Sequence, residues 1–345
     1  MNALPGVAYL AIKDYQRNLY DELSVDPARP GKGITAWGDL VYVERAPTEP
    51  GVYPFWQRNV LEKPFTAEFT SVREASDILR GIQRNWAHYP VASFRRAELI
   101  AEKLPYINLK PRTFPCHIPH SPMGMWSLLD DHTLFASAVT TSPLPAGEIR
   151  FVEDHENPPS RAYLKMYEAL AWAEWVGGSA VEAEDTIPTG RYTAPTTTVP
   201  AGRYTNLLPG PGSRIIDAGA CPGGWTWVFD LLGATVTAID RSPLRDDLMA
   251  KPNISFIKHD AFTLKPEDLG PQDWVCSDVI CYPPRLLEWV EKWLESGLCD
   301  NFICTIKMQG AADHDTTRAF SRIPGSRVVH LTANKNELTW IRLKP

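Results

Sequence analysis

Ile215-Ile216-Asp217-Ala218-Gly219-Ala220-Cys221-Pro222-Gly223-Gly224-Trp225 decides how this chain is read. An apolar run ends at an acid, enters a glycine-rich turn, and opens an amphipathic stretch from Trp225 to Leu232. Strand, tight turn and helix in that order form the entry to a nucleoside-binding α/β domain. Glycines let the backbone pass close to a ligand, and the helix N-terminus offers free N–H groups there. A second strand, Thr235 to Ile239, ends in Asp240. A carboxylate about 20 residues beyond the glycine turn can take the two hydroxyls of a ribose.

The loop chemistry narrows the ligand. A dinucleotide site uses G-x-G-x-x-G, whose spacing suits a pyrophosphate. Here the turn reads Gly219-Ala220-Cys221-Pro222-Gly223-Gly224, with a proline where a pyrophosphate loop needs a free N–H. Asp217, at the strand end, is expected to act as an anion that repels phosphate. S-adenosyl-L-methionine carries a sulfonium and an ammonium and no phosphate, so an acidic loop favours it over a nicotinamide dinucleotide. A bare tight turn accounts for the glycines but not for the spaced acids.

The chain has 345 residues, 44% of them hydrophobic, enough for a full core and two domains. Met1–Lys13 lacks the features of a secretory signal, and no apolar run approaches a membrane span. The expectation is a cytoplasmic protein with no membrane partner, and a monomer is assumed. Six cysteines are few for a disulfide scaffold of this length. Cys276/Cys281 and Cys299/Cys304 repeat one spacing that invites a zinc reading. However, Cys276 and Cys304 fall inside apolar strand-like runs, where a thiol behaves as a small hydrophobe, and no C-x2-C knuckle occurs, so no metal is expected.

A net charge of −6 argues against a protein that coats nucleic acid non-specifically. A local basic face is still allowed. Arg80, Arg84, Arg95, Arg96, Lys103, Lys110 and Arg112 outnumber Glu98 and Glu102 between them, with Trp86, His88 and Tyr89 interleaved. Such a stretch can follow a phosphate backbone while aromatics stack on bases. The plainer reading is a solvated helix face over buried aromatics.

The C-terminal half alternates strand-like and helical pattern, with strands expected at Arg214–Asp217, Thr235–Asp240, Ile254–Lys258, Trp274–Asp278, Asn301–Ile306, Arg327–Thr332 and Glu337–Leu343. Pro284–Ser296 reads as a helix with Leu286, Leu287, Val290 and Leu294 as its apolar stripe. This pattern predicts a doubly wound α/β domain with its ligand at the carboxyl ends of the strands. The Ala333–Asn336 turn is too short for a crossover helix, so the last strand is expected to run antiparallel to its predecessor. The N-terminal residues 1–150 read as mixed α+β, with strands at Ala8–Ile12, Asp39–Glu44 and Leu134–Thr141 and helices at Asp14–Leu23, Val72–Arg84 and Phe94–Leu104. Between the halves, Gly177–Gly212 is rich in Pro, Thr and Gly and repeats Pro188-Thr189-Gly190-Arg191-Tyr192-Thr193 as Pro200-Ala201-Gly202-Arg203-Tyr204-Thr205. It is read as a long surface loop, or as a paired Arg/Tyr clamp for RNA.

Four charged residues fall at meaningful places around the glycine turn. Lys165 lies in the helix before the first strand, Asp278 ends the fourth, Lys307 follows the fifth, and Glu337 begins the last. Strands four and five neighbour the first in such a sheet, so Asp278 and Lys307 are expected to converge beside the cofactor. Taken singly, each residue is more often part of a structural salt bridge.

Together, Lys165, Asp278, Lys307 and Glu337 resemble the K-D-K-E tetrad of the FtsJ-like RNA ribose 2′-O-methyltransferases. Pro159-Ser160-Arg161-Ala162-Tyr163-Leu164-Lys165, the run Asp217 to Thr226, and Asn301-Phe302-Ile303-Cys304-Thr305-Ile306-Lys307 are similar to the RlmM family, with G-A-C-P-G-G-W-T the most specific match. The likeness is good over about 155–345 and looser before it, where Gly6–Leu10, Pro54–Trp56 and Ser121–Met125 echo the family.

The resemblance implies a Rossmann-like class I methyltransferase domain of seven strands over 151–345, carrying the insertion 177–212. A smaller THUMP-like RNA-binding domain over 1–150 would precede it. It also implies S-adenosyl-L-methionine as cofactor and methylation of a cytidine ribose in 23S ribosomal RNA. Cys221, Pro222, Gly223 and Gly224 would line the methionine and ribose end, beside Gly219 and Trp225. Asp240 would hold the ribose hydroxyls, Asp260 the adenine edge, and Ser160 a further contact. The insertion is longer than the family's.

A ribose hydroxyl must lose its proton as it attacks the methyl group. A lysine serves as base only when neutral, with its pKa well below the reference of about 10.4. Lys307 is assigned that role. Lys165 would steer and help deprotonate, Asp278 would orient Lys307 near the sulfonium, and Glu337 would position Lys165 or the ribose.

Two other readings remain at this level. Tyr282-Pro283-Pro284 is similar to the [DN]-P-P-[YFW] motif of exocyclic-amine methyltransferases, but both functional places are wrong. A cytosine-C5 enzyme needs a free thiolate, and neither Cys304 nor Cys221 is placed for it. A non-catalytic RNA-binding protein that kept the fold is the third possibility.

Overall fold

The computed structural model describes residues 1–24, 33–45, 52–182 and 208–344, the side chains of 178–182 excepted. Both copies of the Arg/Tyr repeat lie outside these residues. The chain divides into two units, Met1–Arg112 with Pro119–Arg150, and Thr113–Ile118 with Phe151–Pro345.

In the first unit, β1 (Asn2–Ala3), β2 (Val7–Ala11), α1 (Gln16–Glu22), β3 (Ile34–Trp37), β4 (Leu40–Val43) and β5 (Gln57–Leu61) come first. They are followed by β6 (Phe65–Glu68), α2 (Val72–Ile82), β7 (Trp86–His88), α3 (Phe94–Ala101), β8 (Gly124–Leu128) and β9 (Thr133–Ser137). One antiparallel sheet runs β3-β4-β2-β5, and a second runs β1-β6-β9-β8-β7, with β7 and β8 parallel. The strands that pattern reading passed over show why it did. β8 is buried along its whole length, so no alternation appears, and β5 hides a polar residue, Asn59, whose Oδ1 accepts the Ser142 N–H at 3.0 Å.

The interleaved aromatics of the basic stretch divide between roles. Trp86 is 2% exposed, and its indole N–H donates to the Leu79 carbonyl at 2.8 Å, so it belongs to the core beneath α2 and α3. Arg80 and Arg84 stand on the solvent side. For that part of the stretch, the plainer reading holds.

The second unit contains α4 (Tyr163–Glu182), β10 (Arg214–Ala218), α5 (Gly224–Leu231), β11 (Thr235–Asp240), α6 (Asp246–Met249), β12 (Ile254–Lys258) and α7 (Pro266–Leu269). Then come β13 (Trp274–Ser277), α8 (Pro283–Ser296), β14 (Asn301–Lys307), α9 (His314–Arg322), β15 (Ser326–Val329) and β16 (Glu337–Arg342). Helix α4 continues past Gly177, where the insertion was expected to begin. The seven strands form one sheet in the order β12-β11-β10-β13-β14-β16-β15. β10 through β14 run parallel, and β16 is antiparallel to both β14 and β15.

The apolar runs of β10, β13 and β14 are buried on both faces, as a parallel sheet covered by helices requires. On α8 the core side is Leu286, Trp289, Val290 and Trp293. The tryptophans displace Leu287 and Leu294 from the expected stripe because they bury more surface per position.

Gly219 shows how tightly the carboxyl ends of the strands are drawn together. Its φ is +78°, and a Cβ there would lie 2.6 Å from the Val279 Cγ2. Gly219→Ala is therefore expected to lose at least about 1–2 kcal/mol of unfolding free energy, from the left-handed backbone alone. Urea denaturation against the parent protein measures this.

Candidate active site

The turn after β10 is tied to its neighbour by backbone bonds. The Gly219 N–H donates to the Ile239 carbonyl at 2.8 Å. The Cys221 N–H and the Ser242 N–H donate to the two oxygens of Asp240, at 3.0 and 2.9 Å. Asp240 is thereby fixed at the end of β11 with acceptor capacity left over, and no cation is paired with it among the described residues.

A cavity of about 410 Å³ opens at this edge of the sheet. Gly219, Cys221, Asp240, Asp260, Asp278 and Lys307 line it. Ser160, Pro222, Gly223, Gly224 and Trp225, which the resemblance implied as cofactor contacts, do not contribute to its wall. The glycines there serve the chain's own packing. A Cβ on Gly224 would sit 2.5 Å from the Ser160 Oγ, and one on Gly223 would sit 2.4 Å from the Leu248 Cδ1. Trp225 is 3% exposed and donates its indole N–H to the Ala162 carbonyl at 3.0 Å, which joins α5 to the start of α4.

Seven wall residues were not singled out as site residues from sequence: Ile239, Arg241, His259, Ala261, Val279, Ile280 and Arg285. Arg241 and Arg285 each pair with the Asp260 Oδ2, at 2.6 and 3.2 Å. The Phe262 N–H donates to Asp260 Oδ1 at 3.1 Å. Burial alone would raise the Asp260 carboxyl, but that N–H and the two arginines hold it below the usual carboxylate range. Arg241 directly follows Asp240 and Arg285 directly follows Pro284, but nothing local marks either charge as directed at Asp260, so only the folded chain brings the two together at the cavity.

The four charged residues meet. Lys165 Nζ lies 2.8 Å from both oxygens of Asp278 and 3.1 Å from Glu337 Oε1. Lys307 Nζ lies 3.0 Å from Asp278 Oδ1. Lys307 and Glu337 face each other as cross-strand partners on β14 and β16. The side chains of Lys165 and Glu337 are 9% and 13% exposed and stand behind the cavity, while Asp278 and Lys307 reach its wall. Burial would pull the Lys165 ammonium down, but Asp278 and Glu337 outweigh it and raise its pKa above the usual lysine value. A deprotonating role for Lys165 does not fit that environment: two carboxylates keep it charged.

Asp217 departs from expectation as well. It is 1% exposed and accepts from the Thr226 hydroxyl at 2.6 Å, while its Oδ1 is buried without a hydrogen-bond partner. Burial pushes its carboxyl up to about 7, with Asp278 and Asp240 adding to the rise and the Thr226 bond opposing it. Asp217 links β10 to α5 inside the core. The anions that face the cavity are Asp240, Asp260 and Asp278 instead.

Cys221, Cys276, Cys281, Cys299 and Cys304 are in no disulfide. Cys276 and Cys304 are fully buried with thiols raised well above their usual value, by burial first. Among the described residues no cluster of three or more His, Cys, Asp or Glu side chains is placed to hold a metal ion. No helix there is long and apolar enough to cross a membrane.

Residues 202–333 match the family model of the FtsJ-like methyltransferases. The C-terminal unit resembles that family. Ribosomal RNA large subunit methyltransferase M from Xanthomonas euvesicatoria pv. vesicatoria (strain 85-10) is 29% identical over 247 residues, 71% of this chain and 59% of that protein. The enzyme of the same name from Xanthomonas campestris pv. campestris (strain B100) is 30% identical over 247 residues, with the same coverage. That from Azoarcus sp. (strain BH72) is 40% identical over 97 residues, 28% of this chain and 26% of that protein. The chain thus spans 59% of the length of the Xanthomonas relatives.

Within the C-terminal unit, two outcomes follow from the charges. In the unfolded chain an aspartate titrates near 3.9. The favourable contribution of Asp217 is whole below that pH and is lost as pH rises through its folded value of about 7. Asp217→Asn, which does not titrate, is expected to gain stability relative to the parent by about 1.4 kcal/mol per pH unit across that window. Denaturation curves near pH 5 and pH 8 test this. Lys165→Ala leaves Glu337 buried without its cation and is expected to cost about 3 kcal/mol in the same measurement.

Proposed function

We propose that this protein is an S-adenosyl-L-methionine-dependent ribosomal RNA 2′-O-ribose methyltransferase acting on 23S RNA in the cytoplasm. The N-terminal unit would be a THUMP-like RNA-binding domain. The observation that carries the reading is the shared carboxylate: Asp278 accepts from Lys165 and Lys307 at the wall of the cavity that also presents Asp240. The family match over 202–333 and the relatives' name support the same assignment.

The wall fits the cofactor on its donor set. Asp240 is held by two backbone N–H groups and keeps lone pairs for two sugar hydroxyls. Asp278 places negative charge where a cationic sulfur is to be accommodated, and a volume of about 410 Å³ suits a ligand of that size. Bound there, S-adenosyl-L-methionine supplies a methyl group on a cationic sulfur.

The protein's own contribution is orientation and proton transfer. Lys307 accepts the proton of the acceptor hydroxyl at Nζ, and Asp278 aims that amine from 3.0 Å. Lys165 has a second carboxylate in Glu337 and stays charged. Asp278 therefore keeps one cation when Lys307 becomes neutral, which limits the cost of uncovering a buried carboxylate. Holding oxygen and methyl carbon in line accounts for most of the acceleration.

A base-modifying reading finds less support. The fully buried Cys304 thiol is kept protonated, and Tyr282 precedes the first residue of α8 with 66% of its surface exposed.

Lys307→Ala is expected to bind S-adenosyl-L-methionine within about threefold of the parent by calorimetry, since the adenosine contacts remain. Label transfer to RNA should fall by at least about a hundredfold, the usual range for loss of a general base. Normal turnover would remove Lys307 from the mechanism. Nuclease digestion and mass spectrometry of the labelled product would place the methyl group on the ribose or on the base.

A further inference from the structure

A second cavity, also of about 410 Å³, lies wholly within the N-terminal unit and has no part in the chemistry above. Its wall is drawn from β2, β5 and β7, the segment 108–112 and the stretch 144–150. Five cationic side chains line it, Lys13, Arg58, Lys110, Arg112 and Arg150, against the acids Asp39 and Glu148. In a chain of net charge −6 this is a local inversion of sign. Both acids are engaged. Asp39 accepts from Tyr89 and Gln16, at 2.9 and 2.5 Å, and Glu148 pairs with Arg58 and Arg150, at 3.3 and 3.6 Å.

Two buried polar atoms on this wall lack partners. Arg58 is only 11% exposed along its side chain, and its Nη1 is buried with no hydrogen bond. A buried guanidinium nitrogen left unpaired costs free energy, and its positive charge adds to the attraction of the cavity for an anion. The His88 Nε2 is likewise buried and unpartnered, and the ring packs against Trp126 at 4.5 Å between centroids, tilted by 33°. Burial holds the imidazole down at about 4, so it is neutral at physiological pH and offers one donor and one acceptor. That pair of functions suits a base edge or a sugar hydroxyl and adds no charge.

The rim indicates a ligand longer than the cavity. Residues 105–109 have no helix or strand, and they expose Tyr106 and Leu109 at 76% and 69%. An exposed aromatic beside a basic cleft is a stacking surface for a strand that continues outward. A volume near 410 Å³ holds one nucleotide and excludes a duplex.

We propose that the cavity lined by Arg58, His88, Tyr89, Lys110, Arg112 and Arg150 holds one nucleotide of a single-stranded RNA segment. The basic residues take its phosphate, and His88 reads its base or sugar edge. The site is independent of the glycine-turn cavity. It gives a specific location to the RNA contact that the function proposed above assigns to the N-terminal unit, and in that respect rests on that reading.

Fluorescence anisotropy of the 345-residue chain with a short, labelled, mixed-sequence single-stranded RNA, from about 50 to about 200 mM KCl, tests it. No methyl donor is present, so the outcome does not depend on whether the C-terminal unit transfers methyl groups. The double variant Lys110→Ala/Arg112→Ala, on the exposed segment, is expected to bind about tenfold more weakly. Its salt slope should be smaller by about 1.4, the loss of two single-strand phosphate contacts. His88→Phe, which keeps a ring packed on Trp126, should weaken binding several-fold with the slope unchanged. Arg58→Ala should match or exceed the double variant, provided its circular dichroism and melting match the parent's. Unchanged affinity and slope in a folded Lys110→Ala/Arg112→Ala protein would overturn the proposal. Competition by cytidine monophosphate or inorganic phosphate as effective as the RNA itself would overturn the strand assignment, making this a small-anion site.

Discussion

Asp278 is shared by two lysines, and the arrangement of the second unit around the cavity follows from that sharing. Its oxygens lie 2.8 Å from Lys165 and 3.0 Å from Lys307, and Lys165 reaches on to Glu337. Four charges with side chains 9 to 18% exposed are tolerable only as a mutually satisfied set, because each alone would carry a desolvation penalty of several kcal/mol. The set joins a helix that precedes the sheet to the ends of three strands. It also depends on one topological choice. Because β16 runs antiparallel to β14, its first residue, Glu337, lies opposite the last residue of β14, Lys307. A parallel final strand would carry Glu337 to the far edge of the sheet.

The glycine turn beside this network is constrained from behind as much as from in front. Gly219, Gly223 and Gly224 each stand where a Cβ would meet Val279, Leu248 or Ser160. Small residues there let the start of α5 and the loops after β11 and β13 close on one another. Gly219 and Cys221 are then left to face the cavity, while Trp225 turns inward and comes within 5.9 Å of the Lys165 ammonium. The same compactness explains Asp217, which sits at the convergence of β10 and α5 with 1% of its surface exposed. A carboxyl so placed is raised toward neutrality and acts as a hydrogen-bonding strut.

The N-terminal unit places its charge differently. Its cations do not form one continuous face along the sequence. Arg80 and Arg84 stand on the solvent side of their segment, while Lys110 and Arg112 join Arg58 and Arg150 from distant strands and turns around a separate cavity. The interleaved aromatics follow the same division, with Trp86 committed to the core and His88 and Tyr89 on the cavity wall.

Sequence by itself determined the alternation of the second unit, the position of its glycine turn, the antiparallel last strand, and the set of Lys165, Asp278, Lys307 and Glu337. Those features are local or periodic: buried parallel strands are continuous apolar runs, and charges at strand ends stand out against them. Tertiary structure alone decided which of the singled-out residues face the cavity and which lie behind it. It brought Arg241 and Arg285 to Asp260, withdrew Asp217 from the site, kept Lys165 charged, and opened the basic cavity of the first unit. The physical reason is the same throughout. Desolvation and ion pairing act between groups far apart in the chain, so the state of a carboxylate or an amine is set by neighbours that no local pattern records.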